Sequence, residues 1–323
     1  MSKLLKVTSS PHIRHEDSTR GIMLDVIIAL LPAAIYGCIL FGLRAAIILV
    51  VTVATAVASE AIWNLALKKP QTIGDCSAVL TGLLLGMNLS SQTPVWIAAI
   101  GSVVAIIVVK QMFGGLGFNF ANPAMTARIV LLVSFAGQMS NYVSPIDAQT
   151  SATPLASASI GELYFGAFDS AVGEVAKETY TLKQLFFGMH GGAIGETSSF
   201  LLIIGGLYLM LRRVIKPIIP VAFIGTVAIA TLIAGGDLKL AIFGGGLMLG
   251  AIFMATDYVT TPTTDLGKLI FGIGCGLITF VIRQFSRLPE GVSYAILLMN
   301  ILTPHINRLT LSKPFGAKEV AKS

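Results

Sequence analysis

Long apolar stretches alternate with short polar ones along almost the whole chain. A bilayer core about 30 Å thick is crossed by a helix of about 20 apolar residues, and ten stretches approach that length. We therefore predict ten transmembrane helices, at residues 22–43, 45–67, 73–89, 94–110, 118–138, 196–211, 217–235, 239–256, 267–283 and 291–305. The third and the eighth are short and rich in glycine and polar residues, so a broken or re-entrant form is expected for both.

The composition agrees with this pattern. Hydrophobic residues make up 54% of the 323 residues and charged residues only 12%, whereas about 25% of a soluble domain is charged. The chain is therefore predicted to be an all-α polytopic membrane protein. Its three cysteines lie far apart in apolar segments, without C-x-x-C spacing, so neither a disulfide framework nor a thiolate metal site is expected.

Lys and Arg residues predict the orientation, because they are more frequent in cytoplasmic loops. With the N-terminus in the cytoplasm, fifteen of them fall on the cytoplasmic side and six on the outer side. Only Arg128 falls within a predicted span away from its ends. We therefore expect the N-terminal arm (1–21) and the tail (308–323) in the cytoplasm of a bacterial or archaeal cell, and the polar loop at 139–183 outside it.

The predicted spans form two groups of five, at 22–138 and 184–307. The segment GLLLG at Gly82–Gly86 in the third span matches GLMLG at Gly246–Gly250 in the eighth. Because each group has an odd number of spans, the second group has the opposite orientation in the membrane to the first. We therefore predict an inverted repeat. Apolar glycine-rich helices also match one another by chance, and inverted repeats are common in transporters.

The polar loop contains the sequence DAQTSATPL at 147–155. It resembles the signal D-x-x-[S/T]-small-A-T, at which a flavin transferase esterifies the phosphate of FMN onto the last threonine. Pro154 favours extended backbone at the preceding Thr153, which leaves the hydroxyl accessible to such an enzyme. The other members of the motif are Asp147, Thr150, Ser151 and Ala152. The alternative interpretation is a polar loop composed of residues that favour turns.

Further segments extend this similarity over essentially the whole chain: Gly117–Phe120 with Asn122–Ala124, Gly191–Ser198, Met254–Asp257 with Thr260–Pro262, and Glu290–Ala295. On these motifs the chain resembles the RnfD/NqrB family, the membrane subunits of ion-pumping Rnf and Na⁺-translocating NADH:quinone oxidoreductase complexes. Its modest length and short N-terminal arm are more similar to RnfD. It departs from the family pattern at Ser151, where members often carry glycine.

The resemblance implies FMN bound covalently to Thr153 through a phosphothreonine-type ester, and a role as an electron carrier in a ferredoxin:NAD⁺ oxidoreductase that moves Na⁺ or H⁺. It implies partner subunits, including a second FMN-carrying subunit and iron–sulfur subunits, and a flavin transferase for maturation. Relatives also hold a second, non-covalent flavin (riboflavin) among their helices. The chain itself shows no P-loop and no G-x-G-x-x-G after a strand, so no NAD site of its own is expected, and nothing indicates nucleic-acid binding.

Several polar residues are candidates for that second flavin or for an ion path. Glu196 and Thr197, with Gly192 before them, are predicted to open a helix whose N-terminus favours an anion or a flavin carbonyl. The alternative is an ordinary capped helix start. Hydroxyls and a carboxylate suited to a cation or a ring occur at Thr256, Asp257, Thr260 and Thr261, with Asn119 and Asn122 nearby in the repeat. The alternative there is a polar loop.

Glu60 and Arg128 are ionisable residues inside predicted spans, and such residues are functional candidates by default. One hypothesis is that they pair with each other, and another is that they line an ion path; for Arg128 a structural role is favoured, because such residues near helix ends often reach the interface. The competing hypothesis for the whole chain is a solute channel or transporter with an inverted repeat and no redox cofactor. A third hypothesis is a scaffold subunit without a cofactor. Both predict a purified chain without a chromophore.

Overall fold

The computed structural model describes residues 18–143, 150–151, 155, 181–286 and 291–311. The regular secondary structure of this part of the chain is helical, apart from one two-stranded antiparallel sheet. In that sheet β1 (Tyr142–Val143) pairs with β2 (Thr150–Ser151), so that Tyr142 lies opposite Ser151. The predicted helical class is confirmed.

The first group of helices follows the predicted spans closely. Ser18 caps the first helix by accepting a hydrogen bond from the N–H of Gly21, and Gly42, with φ 73°, forms the tight turn into the second. The elements are α1 (Thr19–Phe41), α2 (Leu43–Ala66), a 3₁₀ turn (Ile73–Asp75), α3 (Ser77–Met87), α4 (Val95–Val103) continuing as a π-helix (Val104–Gln111), α5 (Pro123–Ser134) and α6 (Ala136–Met139).

The second group is less regular. Its elements are α7 (Leu182–Phe187), α8 (Ser199–Leu211), α9 (Ile218–Ile233), α10 (Leu238–Phe243), α11 (Leu247–Leu249) continuing as a π-helix (Gly250–Met254), α12 (Asp265–Phe285) and α13 (Val292–Thr310). The segment predicted as one span at 239–256 is interrupted between α10 and α11, where Gly245 has φ 68°. A positive φ is easy for glycine and strained for other residues, so the break is encoded locally.

Among the described helices, α1, α2 and α12 are both long and apolar enough to cross a bilayer. The shorter apolar helices are α3, α4 with its π-helical continuation, α5, α8 and α9. The chain is therefore a helical membrane protein. The total of ten spans, their division into inverted halves, and the positions of the termini stay predictions.

Glycines bring the helices into close contact. A Cβ on Gly82 of α3 would lie 2.7 Å from the carbonyl oxygen of Thr52 in α2, and a Cβ on Gly205 of α8 would clash with the carbonyl of Ala29 in α1. Such small residues allow close helix packing inside membranes. In the hydrophobic core, α12 packs against α9 and α13, and α13 packs against α5. This packing encloses the polar groups described next.

Candidate functional site

The motif predicted to attach FMN is only partly within the described residues. Asp147, Ala152 and Thr153 lie outside them. Thr150 and Ser151 form β2, which is held on Tyr142 and Val143 by the sheet pairing. Beyond the motif, Leu155 is buried.

Leu155 contacts the interruption between α10 and α11. Its Cδ1 atom would lie 2.5 Å from a Cβ placed on Gly245, and the guanidinium of Arg283 is adjacent to the same point. Tyr142, on the strand that pairs with the motif, is also buried, with 7% of its surface exposed. Described residues on both sides of Thr153 are therefore packed against the body of the protein.

A buried ion pair joins α5 to the loop before α8. Arg128 Nη2 donates to Glu196 Oε1 at 3.2 Å, and Arg128 Nη1 donates to Asn88 Oδ1 at 2.6 Å. Asn88 follows α3 and is oriented by its own hydrogen bond from Nδ2 to the carbonyl of Leu84 at 2.7 Å. We call Arg128, Glu196 and Asn88 the Arg128 cluster. Arg128 and Glu196 are each 1% exposed, so their charges compensate each other away from water.

The expectation that Glu196 and Thr197 open a helix is wrong. Helix α8 begins at Ser199, and Ser198 is its N-cap, accepting from the N–H of Leu201 at 3.3 Å. Glu196 lies in the preceding turn, where Oε2 accepts from the N–H of Ala193 at 3.4 Å. Its carboxylate is drawn to the guanidinium of Arg128, a much stronger partner than the partial charge of a helix N-terminus.

This turn is attached to the end of α3. The N–H of Ile194 donates to the carbonyl of Leu89 at 2.9 Å, and the N–H of Gly195 donates to the carbonyl of Met87 at 2.7 Å. The Thr197 hydroxyl donates to the carbonyl of Ile194 at 3.2 Å. At Gly192 an added Cβ would meet the Glu196 carboxylate at an ordinary contact distance of 3.7 Å. The turn therefore positions the Glu196 carboxylate of the Arg128 cluster.

A second buried ion pair lies between α2 and the end of the π-helix. The Glu60 carboxylate accepts from Lys110 Nζ at 3.0 and 3.1 Å, from Gln111 Nε2 at 3.0 Å and from Thr72 Oγ1 at 2.6 Å. Lys110 Nζ also donates to Ser77 Oγ at 2.6 Å. We call these five residues the Glu60 cluster. Glu60 and Lys110 are 1% and 2% exposed.

The suggested pairing of Glu60 with Arg128 is therefore wrong, since each has a different partner. Lys110 is the last residue of the predicted span 94–110, where a lysine is expected at the cytoplasmic surface. The π-helix instead continues through Gln111 and turns both Lys110 and Gln111 towards α2. π-Helical turns are rare and are frequent at functional sites, but no sequence pattern predicts this one.

A cavity of about 90 Å³ separates α1, α3, α5 and α8. Its walls are mostly apolar, and its polar lining includes Lys110, Asn119, Asn122, Thr256 and Asp257. Four of these are candidates predicted from the sequence, and the structure brings them together. Glu60 and Glu196 belong to the two clusters instead.

The two asparagines of the cavity differ. Both amide atoms of Asn122 have hydrogen-bond partners within the protein. Its Oδ1 caps α5 by accepting from the N–H groups of Ala124 and Met125, and its Nδ2 donates to the carbonyl of Met254 at 3.2 Å. Asn119 is 8% exposed, and its Oδ1 has no hydrogen-bond partner among the described residues. A buried acceptor without a donor is unfavourable by about 1–3 kcal/mol, so Asn119 marks a position that suits a ligand.

The hydroxyl-rich segment after the second π-helix is largely satisfied by its own hydrogen bonds. Thr260 Oγ1 donates to Asp257 Oδ2 at 3.2 Å, and Thr261 Oγ1 donates to the carbonyl of Asp257 at 2.7 Å. Thr256 Oγ1 donates to the carbonyl of Ile252 at 2.7 Å. Desolvation raises the pKa of the half-buried Asp257, although hydrogen bonds from Val259 and Thr260 act in the opposite direction. Only Thr256 and Asp257 of this set reach the cavity.

Comparison with known proteins places the chain in a family. The family model described as the NQR2, RnfD, RnfE family matches residues 6–316. The chain is 47% identical over 320 residues to the D subunit of the Na⁺-translocating ferredoxin:NAD⁺ oxidoreductase complex of Acetobacterium woodii, a match that covers 98% of this chain and 97% of that protein.

Two further relatives are similar over nearly the whole chain. The D subunit of the proton-translocating ferredoxin:NAD⁺ oxidoreductase complex of Clostridium ljungdahlii is 41% identical, with 98% of this chain and 97% of the relative covered. The D subunit of the ion-translocating oxidoreductase complex of Stutzerimonas stutzeri is 39% identical, with 93% and 92% covered. These matches confirm the resemblance inferred from the motifs, and the chain belongs to the NQR2, RnfD, RnfE family.

Proposed function

We propose that this chain is the D-type subunit of an ion-translocating ferredoxin:NAD⁺ oxidoreductase complex, and that it carries electrons across the membrane on covalently bound FMN. The full-length similarity to the D subunits of such complexes is the observation that carries the proposal. It works with iron–sulfur and flavin subunits, because the chain has no recognisable NAD motif of its own. The two relatives move different ions, so the coupling ion here is left as Na⁺ or H⁺.

The topology in this proposal is ten spans in two inverted halves, with both termini in the cytoplasm and the Thr153 loop outside. The excess of Lys and Arg on one side supports the orientation. Helix packing supports the repeat: α1 contacts α8, its counterpart in the other half, and α5 contacts its counterpart α13. Equivalent helices meet in this way when they lie close to a two-fold axis in the membrane plane.

Thr153 is the proposed attachment point of FMN as a phosphoester. The surroundings of the motif suit an anionic group. The guanidinium of Arg283 lies next to Gly245 and Leu155, and the Glu196 carboxylate, which is bonded to Arg128, also acts on Arg283 electrostatically. Among these described residues, two guanidinium groups stand against one carboxylate, and this positive excess supports a phosphate or a reduced, negatively charged ring nearby.

The cavity near Lys110 is the proposed position of a second, non-covalent flavin of the riboflavin type. Asn119 Oδ1 would accept a ring N–H, Lys110 would donate to a ring carbonyl, and the apolar walls would cover the ring faces. At about 90 Å³ the cavity holds roughly three waters, so a tricyclic ring requires its lining side chains to move. Bound flavin would supply one- and two-electron chemistry, while the chain binds it, orients it and excludes water.

The two buried ion pairs have distinct tasks in this proposal. Arg128 and Glu196 hold the α8 loop against α3 and α5, which keeps the residues near the FMN motif in place. Glu60 and Lys110 neutralise each other next to the cavity. An isolated buried charge would be strongly unfavourable there, so pairing keeps the interior neutral while electrons pass.

Flavin fluorescence after denaturing electrophoresis tests the covalent attachment. The full chain is co-expressed with a flavin transferase, alongside Thr153→Ala and, as a control in the same loop but outside the motif, Ser157→Ala. We expect a fluorescent band for the unchanged chain and for Ser157→Ala, and a dark band for Thr153→Ala, because only Thr153→Ala loses the esterified hydroxyl.

Fluorescence that survives in Thr153→Ala would contradict attachment at Thr153 and would make Thr150 the next threonine to test. Dark bands for all three chains, together with a transferase shown to be active on another substrate, would contradict covalent FMN. That result would favour the cofactor-free hypotheses, a solute channel or a scaffold subunit.

A further inference from the structure

A groove with polar residues lies where helices α2 and α4 begin. Its volume is about 420 Å³, and its polar lining consists of Arg44, Ser91, Gln92 and Thr93. The two helices pack against each other, and the first turns of both border this groove. None of these residues has a task in the proposed function.

Thr93 places a buried hydroxyl without a partner at this groove. The residue is 4% exposed and lines the groove, and its Oγ1 atom makes no hydrogen bond within the described part of the chain. A buried hydroxyl without a partner is unfavourable. Rotation about the Cα–Cβ bond would direct its proton to an acceptor in the groove. Thr93 therefore indicates a ligand that presents an oxygen acceptor.

The charge at the groove is positive. Arg44 is exposed, and its Nη1 donates to the uncharged amide oxygen of Gln92 at 2.8 Å. No ion pair between described residues includes Arg44. Helices α2 and α4 both begin without a side-chain cap, so the N–H groups of their first turns add donors and partial positive charge. A phosphate, an anion with several acceptor oxygens, suits these donors.

The groove also continues into an exposed apolar surface. Ile47 of α2 and Val95 and Trp96 of α4 are exposed, and α2 is long and apolar enough to cross a bilayer. Tryptophan is enriched at the boundary between membrane and water, and the Trp96 ring packs edge-on against Phe135 at a centroid distance of 5.2 Å. A free phosphate has no need of apolar walls, whereas a phospholipid carries its phosphate next to acyl chains.

We propose that this groove binds a phospholipid of the surrounding membrane. Its phosphate accepts from Arg44, from the Thr93 hydroxyl and from the first N–H groups of α4, and one acyl chain lies along Ile47 and Trp96. An anionic headgroup such as phosphatidylglycerol is preferred, because no described carboxylate compensates Arg44. In the orientation proposed above, the lipid belongs to the outer leaflet. The binding requires neither flavin nor electron transfer.

A lipid in this groove would stabilise the loop that supports strand β1. Ser90 Oγ donates to the carbonyl of Asn141 at 2.5 Å and accepts from the N–H of Gln92 at 3.2 Å. Asn141 directly precedes β1, the strand that pairs with β2. Contacts of the lipid with Gln92 and Thr93 therefore hold this loop from the side opposite to Asn141.

Quenching of Trp96 fluorescence by brominated lipid tests the proposal in the full-length chain. The chain has two tryptophans, so Trp63→Phe leaves Trp96 as the single reporter. This protein is reconstituted in phosphatidylcholine bilayers that contain a small fraction of phosphatidylglycerol with brominated acyl chains. We expect stronger quenching than from the same fraction of brominated phosphatidylcholine, because the groove retains the anionic lipid next to Trp96.

Variants of the two polar side chains locate the binding. Arg44→Gln is expected to weaken the preference for phosphatidylglycerol about tenfold, and the isosteric Thr93→Val about fivefold, since each loses a hydrogen bond to the phosphate. Thr93→Ser keeps a hydroxyl and should retain the preference. Two matched controls should retain it as well. Arg308→Gln removes an exposed arginine in the last turn of α13, and Thr279→Val removes another buried hydroxyl without a partner among the described residues.

Four results would overturn the proposal. Equal quenching by the two brominated lipids would show that the groove does not select an anionic phospholipid. A preference that survives in both Arg44→Gln and Thr93→Val would place the lipid elsewhere. An equal loss in Arg308→Gln would reduce the preference to general surface charge. A preference abolished by inorganic phosphate at constant ionic strength would make free phosphate the ligand.

Lipid retained by the assembled complex separates a resident lipid from a subunit interface. Native mass spectrometry of the complex should detect bound phosphatidylglycerol, and less of it when the chain carries Arg44→Gln. A complex without this lipid would assign the groove to contact with a partner subunit and overturn the proposal. The fluorescence test of Thr153 is independent of both measurements, so a failure here leaves the proposed function unaffected.

Discussion

The two buried ion pairs, Arg128 with Glu196 and Glu60 with Lys110, are similar in burial and differ in construction. Arg128 is held at two points, by Glu196 and by Asn88, and Asn88 is itself bonded to α3. Lys110 is held by a carboxylate and a hydroxyl, and it borders a cavity. The first pair is therefore anchored to α3 through Asn88, whereas the second borders open space.

The difference follows from side-chain chemistry as well as from position. Arginine keeps its charge at all accessible pH values and bonds through a rigid planar fork. Lysine is compact and flexible, and its three donors rotate. The comparison indicates that burial alone does not assign a role to a charged pair. What matters is how its members are held and what they border.

The largest expected effect is that of Arg128→Met. It leaves Glu196 buried without its guanidinium, and breaking a buried pair in this way lowers the free energy of unfolding by about 3–5 kcal/mol. Thermal unfolding of the purified chain measures the change. The double variant with Glu196→Gln should recover part of the loss, because no charge then remains unpaired; no recovery would show that Arg128 acts through packing instead.

Glu60→Gln is expected to have a smaller effect, about 1–3 kcal/mol. The glutamine oxygen still accepts a hydrogen bond from Lys110, and Lys110 keeps its hydrogen bond to Ser77. The same unfolding assay, run beside Arg128→Met, compares the two pairs. A loss as large as that of Arg128→Met would mean that these remaining hydrogen bonds do not compensate for the lost carboxylate.

The smallest effects belong to single hydroxyls and to exposed pairs. Thr72→Val removes one hydrogen bond to the Glu60 carboxylate and should lower the free energy of unfolding by about 1 kcal/mol. Lys216→Met should give no measurable change, since its pair with Asp265 is exposed to solvent. A larger change in Lys216→Met than in Thr72→Val would reverse the order expected from burial.

Much of the fold is predictable from the sequence because it depends on local patterns. Apolar stretches predict α1 and α2 to within a few residues, and Pro123 after Asn122 marks the start of α5. Glycine-rich composition predicts an irregular segment at 239–256, which the structure divides into α10, α11 and a π-helix. Each of these features is determined by neighbours within a turn or two.

The candidate site is predicted less completely. Asn119, Asn122, Thr256 and Asp257 are candidates because of their polarity, and they do line one cavity. The sequence places Lys110 at the end of the predicted span 94–110, where a lysine usually reaches solvent. The sequence also predicts a helix start at Glu196, because acidic residues favour the first turn of a helix. In the structure the Glu196 carboxylate is instead bonded to the guanidinium of Arg128, which lies 68 residues earlier in the chain.

The sequence by itself determined that the chain is a helical membrane protein and which family it belongs to, and it predicts an FMN attachment motif at 147–153. These properties reside in composition and in contiguous motifs. Only the tertiary structure decided that Glu60 pairs with Lys110, 50 residues away, and that Lys110 also borders a cavity whose Asn119 amide oxygen has no partner among the described residues. Such pairings depend on which helices pack together, because a buried charge takes whatever partner the packing brings within reach.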